Sequence, residues 1–266
     1  MPLPRLLFAH ANGFTGASYK SFLAPLGSRF DLHPLDRLGH DPAHPVSDNW
    51  AALRDELVMH LRAFDAPVIG VGHSMGGVLM LMAADMVPQA LRCVVMLDSP
   101  LMVGLDALAL RAAKRFKMVD RVTPAGRSKG RRQEWPNREA MGHYLRQRRL
   151  FKPFTEAALQ DYIEGGTRAR NDGSVELLFD PGVEVDIFRS LPDHLQGLTQ
   201  RVNMPLALIA GERSDLLTSA RRRRLKRHGV PIVTTPGSHM FPMEHPDEAR
   251  ATLMTTIDSL LENRRS

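Results

Sequence analysis

The chain has 266 residues, 43% apolar and 24% charged, with one cysteine and a formal net charge of +6. That length can bury a sizeable core in one large α/β domain or in a domain carrying an insertion, and the near-average composition excludes disorder, collagen-like repeats and coiled coils. Cys93 alone permits neither a disulfide framework nor a Cys-rich zinc site, and no run approaches the roughly 18 apolar residues of a membrane span.

The first residues carry no basic leader, and their apolar part runs straight into a turn, so they read as a strand and not as a secretion signal. A cytoplasmic location is expected. Short runs rich in Val, Ile and Leu then alternate with longer stretches of helical period, the pattern of a mostly parallel sheet flanked by helices. Strands are expected at Arg5–Ala9, Phe30–Leu35, Pro67–Gly72, Arg92–Leu97, Pro205–Ala210 and Gly229–Thr235. Trp50, Leu53, Leu57, Leu61 and Phe64 recur at helical spacing after a Ser47/Asp48 cap. Ser74–Val87 is apolar almost all round, which predicts a buried helix ending before Pro88. The last helix starts near Pro246 and presents Leu253, Ile257, Leu260 and Leu261 on one face.

From Leu101 to about Leu195 the buried-strand signal disappears, and the chain becomes charged and helical in character, with a turn at Asn171–Ser174. A connection that long is not an ordinary loop. It predicts a helical cap over 101–195, inserted into a core formed by 1–100 and 196–266.

Gly72-His73-Ser74-Met75-Gly76 follows an apolar strand and opens the apolar helix, so G-x-S-x-G stands in the strand–turn–helix context that exposes a nucleophilic serine. Glycines at 72 and 76 relieve the crowding of such a turn. The first strand ends in His10-Ala11-Asn12-Gly13-Phe14. Its turn can aim a backbone N–H above Ser74, with Asn12 the first choice and Ala11 and Phe14 close by; with the N–H of Met75 this makes a two-donor oxyanion pocket. The side chain of His10 is expected only to hold the turn.

A serine needs a positioned base. His239, in Pro236-Gly237-Ser238-His239-Met240, lies on a Gly-containing loop past the sixth strand, whereas His245 reads as a residue at the start of a helix. Two aspartates end core strands and fit the chain order Ser, Asp, His. Asp215 leads, because the Gly211 turn frees its loop to curl toward the histidine; Asp98 is the alternative. Phe14 and Met240, beside this chemistry, would line an apolar acyl pocket.

With these motifs in place the chain resembles the α/β-hydrolase fold serine hydrolases over nearly its whole length. The resemblance rests on His10–Gly13, Asp36–His40, Gly72–Gly76, Gly211–Asp215 and Gly237–Met240 with Glu244 and Pro246. It implies that these supply the oxyanion hole, a structural loop, the nucleophile, the acid and the base, and that the insertion after Leu97 is the family's cap. Ala11 departs from the glycine usual after the oxyanion histidine, and the chain starts at the family's third strand, which shortens the sheet at its N-terminus.

Nothing calls for a cofactor: there is no metalloprotease motif, phosphate loop or dinucleotide fingerprint. Residues 101–152 hold 14 basic against 4 acidic side chains, and 153–195 hold 3 against 9. A solvated face explains this; the sharper alternative is attraction of an anionic substrate or peripheral contact with an anionic membrane surface. Aromatics barely interleave with the basic runs, so nucleic acid is not expected. The expected activity is hydrolysis of a small-molecule carboxylic ester with an apolar acyl group through Ser74, His239 and Asp215. Thioester or carbon–carbon hydrolysis, and a non-catalytic binding member of the fold, are the alternatives.

Overall fold

The computed structural model describes residues 2–262. Each expected core strand forms, with ends shifted by up to three residues. The first four are β1 (Arg5–Ala9), β2 (Asp31–Pro34), β3 (Val68–His73) and β4 (Leu91–Leu97). Helix α1 (Ala51–Arg62) joins β2 to β3, and α2 (Met75–Met86) joins β3 to β4. Ser47 Oγ accepts the Ala52 N–H at 2.9 Å, so the expected cap is made by Ser47, across a turn in which Asn49 and Trp50 are left-handed.

After β4 the chain enters the insertion. It carries α3 (Leu105–Arg115), α4 (Arg138–Arg146), α5 (Glu156–Gly165) and α6 (Pro181–Arg189). It is not wholly helical: β5 (Glu134–Trp135), β6 (Thr167–Ala169) and β7 (Val175–Leu177) form a small antiparallel sheet in the order β5-β7-β6. The expected 171–174 turn closes its β6–β7 hairpin, with Gly173 at φ +84°. These strands are too short to show a period of two. The core resumes with β8 (Leu206–Gly211), α7 (Ser219–Arg227), β9 (Ile232–Thr235) and α8 (Pro246–Glu262).

The six core strands are all parallel, in the order β2-β1-β3-β4-β8-β9. Alternation along each strand divides the core between two faces. Leu7, Val94, Met96 and Leu208 pack with α1 and α2, while Leu6, Phe8, Val95 and Ile209 pack with α8. The insertion joins both layers: Leu110 and Ile187 extend the first, and Phe151, Phe154 and Tyr162 extend the second. No described helix is long and apolar enough to cross a membrane.

Helix α2 runs against the end of β1 with no room to spare: a Cβ on Gly76 would lie 2.1 Å from the Ala9 carbonyl oxygen. Gly76→Ala is therefore expected to destabilise the fold by roughly 1–3 kcal/mol or more, read as a lower urea midpoint at unchanged m-value.

Candidate active site

β3 ends at His73 and α2 begins at Met75, so Ser74 alone makes the turn. Its φ of 51° and ψ of −112° are rare for a residue with a side chain, a strain of about 1–3 kcal/mol that its surroundings must hold. The Ser74 N–H donates to the Leu97 carbonyl at 2.8 Å, and a Cβ on Gly72 would lie 2.3 Å from the Gly76 carbonyl. Ser74 remains partly exposed at the carboxyl edge of the sheet, beside the N-terminus of α2.

His239 lies on the loop after β9. Its Nδ1 donates to Asp98 Oδ2 at 2.8 Å, and its backbone carbonyl accepts from His73 Nε2 at 2.9 Å. The second bond fastens the loop to the residue preceding Ser74. Glu244 holds the same loop from behind, accepting the Ser238 N–H at 2.8 Å. His245 stands at the start of α8, where its carbonyl receives the Ala249 N–H.

The aspartate against His239 is Asp98, not the favoured Asp215. The Gly211 turn does curl back as expected, closed by Ser214 N–H to Gly211 carbonyl at 2.9 Å, but it delivers Ser214 inward and leaves Asp215 exposed. Asp98 ends β4, the strand beside β3, with a left-handed φ of 42° that turns the chain at the sheet edge. Its carboxylate is fully buried and meets three donors: Gly211 N–H at 3.0 Å, Ser214 Oγ–H at 2.6 Å and His239 Nδ1–H. Ser214 is held in turn by the Leu217 N–H, which donates to its Oγ at 3.0 Å.

At the end of β1 the Ala11 N–H donates to Tyr19 Oη and the Phe14 N–H to the Ala11 carbonyl. Of the three N–H groups weighed for the oxyanion pocket, only that of Asn12 is left without a partner among the described residues. Met75, the first residue of α2, presents a helix N-terminal N–H. The Asn12 side chain donates to the Glu184 carbonyl at 3.0 Å, while its Oδ1 is buried and unpaired. Phe14 and Met240 are buried in one apolar cluster with the insertion's Phe151, Phe154 and Tyr162, and Phe14 meets Tyr162 edge-on at 4.9 Å.

Two histidines beside the site have partners that fix their neutral forms. His10 Nε2 accepts the Leu38 N–H at 2.8 Å while Nδ1 faces the Ala11 carbonyl, so His10 holds the turn. His73 Nδ1 lies 2.7 Å from Tyr19 Oη and its Nε2–H points to His239. Burial pushes His10 down to about 4 and His73 to about 3. Sequence reasoning passed over His73, Tyr19 and Ser214. A histidine on an otherwise apolar buried strand was the available signal for the first. Among the described residues, no group of three or more His, Cys, Asp or Glu side chains is placed to hold a metal ion.

The sequence pattern of the alpha/beta hydrolase family matches residues 6–252. The chain belongs to that family. This hydrolase is 24% identical, over 96% of its length and 87% of the relative's, to a 2-(acetamidomethylene)succinate hydrolase of Mesorhizobium japonicum. A crystal structure of E-2-(acetamidomethylene)succinate hydrolase superposes with a TM-score of 0.77, at 24% identity over 96% of this chain and 91% of that one. The enol-lactonase of Burkholderia xenovorans gives 0.64, at 16% identity over 97% and 92% of the two chains. A thioesterase domain from the curacin biosynthetic pathway gives 0.69, at 17% identity over 95% and 91%. Such distant likenesses share the fold, and their substrates differ.

Because His10 and His73 are held neutral below their unfolded value near 6.5, the unfolded chain binds more protons between about pH 6.5 and 3. Stability should therefore be full above about pH 6.5 and fall as pH drops toward 4. His10→Gln is expected to flatten that slope in melting temperature against pH, whatever it costs at neutrality.

Proposed function

We propose that this hydrolase cleaves carboxylic esters through Ser74, His239 and Asp98, by way of an acyl-enzyme. The observation that carries the reading is the 2.8 Å bond between His239 and the buried Asp98, on a loop fastened to the strained serine turn. With Nδ1–H donated to Asp98, the His239 lone pair is on Nε2. Nε2 takes the Ser74 proton as Oγ attacks the ester carbonyl. His239 then returns that proton to the departing alkoxide as the C–O bond breaks, leaving an ester on Ser74. Water, deprotonated by His239, attacks this ester, and His239 gives that proton to Ser74 Oγ as its bond to the acyl carbon breaks, releasing the acid. Asp98 orients the imidazole and stabilises its cation throughout. The N–H groups of Asn12 and Met75 receive the oxyanion, each such donor supplying on the order of 3 kcal/mol in the transition state. Phe14 and Met240, both buried, would back the apolar end of the site and not line it.

A second reading draws on the 2-(acetamidomethylene)succinate hydrolase, to which the likeness spans nearly the whole chain. The same groups would then act on a small acidic substrate. Arg131 stands over Gly13 paired with Glu184, and would have to exchange that partner to receive the substrate's carboxylate.

Labelling with a fluorophosphonate should tag the wild type and spare Ser74→Ala; a folded wild type that stays unlabelled overturns the proposal. Asp98→Asn should lower kcat/KM by roughly 10³–10⁴-fold while Asp215→Asn leaves it within about twofold, and the reverse would return the role to Asp215. A panel of activated esters, acyl thioesters and 2-(acetamidomethylene)succinate separates the substrate readings.

Ser214→Ala removes a donor from the buried Asp98 carboxylate that orients His239, and kcat/KM should fall by about tenfold. Ser214→Thr, keeping the hydroxyl, should keep the activity.

A further inference from the structure

The four most exposed large apolar side chains among the described residues all fall within eighteen positions of the insertion: Phe116 at 72%, Leu105 at 70%, Val122 at 63% and Leu108 at 57% relative exposure. Their arrangement is regular. Leu105, Leu108, Ala109, Ala112 and Phe116 follow the spacing i, i+3, i+4, i+7 and i+11, so they share one stripe along α3 and its C-terminal cap, and all are exposed. The opposite side of the helix is apolar too, and Ala107, Leu110 and Ala113 face the core from it. A helix that buries one apolar face has no folding reason to carry a second toward water. The short helix Val119–Val122, packed against α3, adds Val122 to the same surface.

The charges around the stripe are of one sign. Residues 101–122 hold only two carboxylates, and both are occupied by cations of other elements. Asp106 receives Arg221 and Arg224 from α7, at 3.2 Å for Arg221, and Asp120 receives Arg189 and Lys129. Arg115, Lys117 and Arg121 stay exposed beside the stripe. The Asp106 bonds also lay α7 alongside α3, and α7 contributes exposed Arg223, Lys226 and Arg227.

We infer that the outer face of α3 docks on an anionic lipid bilayer. Leu105, Leu108 and Phe116 enter the headgroup boundary, and the flanking arginines and lysines meet lipid phosphates. Charge decides between occupants. A second copy placed face to face would set Arg115, Lys117 and Arg121 against their own equivalents. Docking is independent of the reaction proposed above, so the two stand or fall separately.

The test is co-sedimentation of the full chain with vesicles of phosphatidylcholine alone and with vesicles of phosphatidylcholine and phosphatidylglycerol in equal parts. Wild type should partition to the anionic vesicles and be released by high salt. Leu108→Glu/Phe116→Glu and Arg115→Glu/Lys117→Glu should each weaken partitioning by about tenfold or more. Both change exposed positions, so melting temperature and hydrolysis of a soluble ester should be unaltered. Failure of the wild type to bind, equal binding to neutral vesicles, or variants that bind as wild type would each overturn the proposal. So would light scattering that finds a wild-type dimer which Leu108→Glu/Phe116→Glu makes monomeric, because a second copy would then cover the stripe.

Discussion

A carboxylate placed out of reach of water must find donors in the protein, or its burial costs several kcal/mol. Asp98 is such a group, and the loops at the carboxyl edge of the sheet are arranged around it. Parallel strands end at the same edge, and the order β3-β4-β8-β9 brings a polar contribution from the end of each. Ser74 follows β3, Asp98 follows β4, Gly211 and Ser214 come from the turn after β8, and His239 comes from the loop after β9. The register keeps them level: Leu97 pairs with Ile209 and Gly211 with Thr235. The three donors to the Asp98 carboxylate all come from these loops.

A one-way chain of hydrogen bonds fixes the remaining distance, between the His239 loop and the turn after β1. The Ala11 N–H donates to Tyr19, the Tyr19 O–H donates to His73 Nδ1, and His73 Nε2–H donates to the His239 carbonyl. Each group donates once, which requires a neutral His73 and a protonated Tyr19. Burial drives both that way, lowering the histidine and raising the phenol. A proton on His73 Nδ1 would force the Tyr19 O–H to turn away and accept from it, and the one-way order of the chain would be lost. The polar groups beneath the site therefore behave as one unit, and substitutions along the chain should not be additive.

Much of this was legible in the residues. The strands announce themselves because parallel strands buried on both faces read as unbroken apolar runs, and the Gly72–Gly76 turn because its crowding admits only glycine. Asp98 and Asp215 could not be separated in this way. Both end core strands in the right order, and what decides between them is a one-residue phase in the turn after β8, which aims Ser214 inward and Asp215 out. Local sequence carries no signal for that phase, because the turn is tied to a loop distant in sequence, with the Arg213 N–H donating to the Gly237 carbonyl at 2.9 Å. Tyr19 lies 54 positions from the histidine it holds, and such pairings appear only when the sheet is assembled.

The charge of the insertion is the other feature that changes meaning in three dimensions. Read linearly, a basic half precedes an acidic half; folded, many charges of the two halves close on each other. Arg189 pairs with Asp120, Lys114 with Asp193, Arg146 with Glu156, and Arg131 with Glu184. The last pair sits over the turn after β1, where Ser128 and Arg131 hold Glu184, Arg131 also meets Tyr162, and the Glu184 carbonyl takes the Asn12 amide. Glu184 therefore works inward, as a seam that seats this part of the insertion next to the turn carrying Asn12, while Glu156, Glu164, Asp172 and Asp186 stay exposed. A cation paired across that seam adds little to the far field, whereas one left on the outer surface adds fully to it. Part of the excess that this matching leaves over stands exposed at and after the end of α3, in Arg115, Lys117 and Arg121, and on α7, in Arg223, Lys226 and Arg227. Displacing the insertion would break the Asn12 amide bond to the Glu184 carbonyl and the Tyr162 hydroxyl bond to the Gly13 carbonyl together, so its position and the geometry of that turn are coupled.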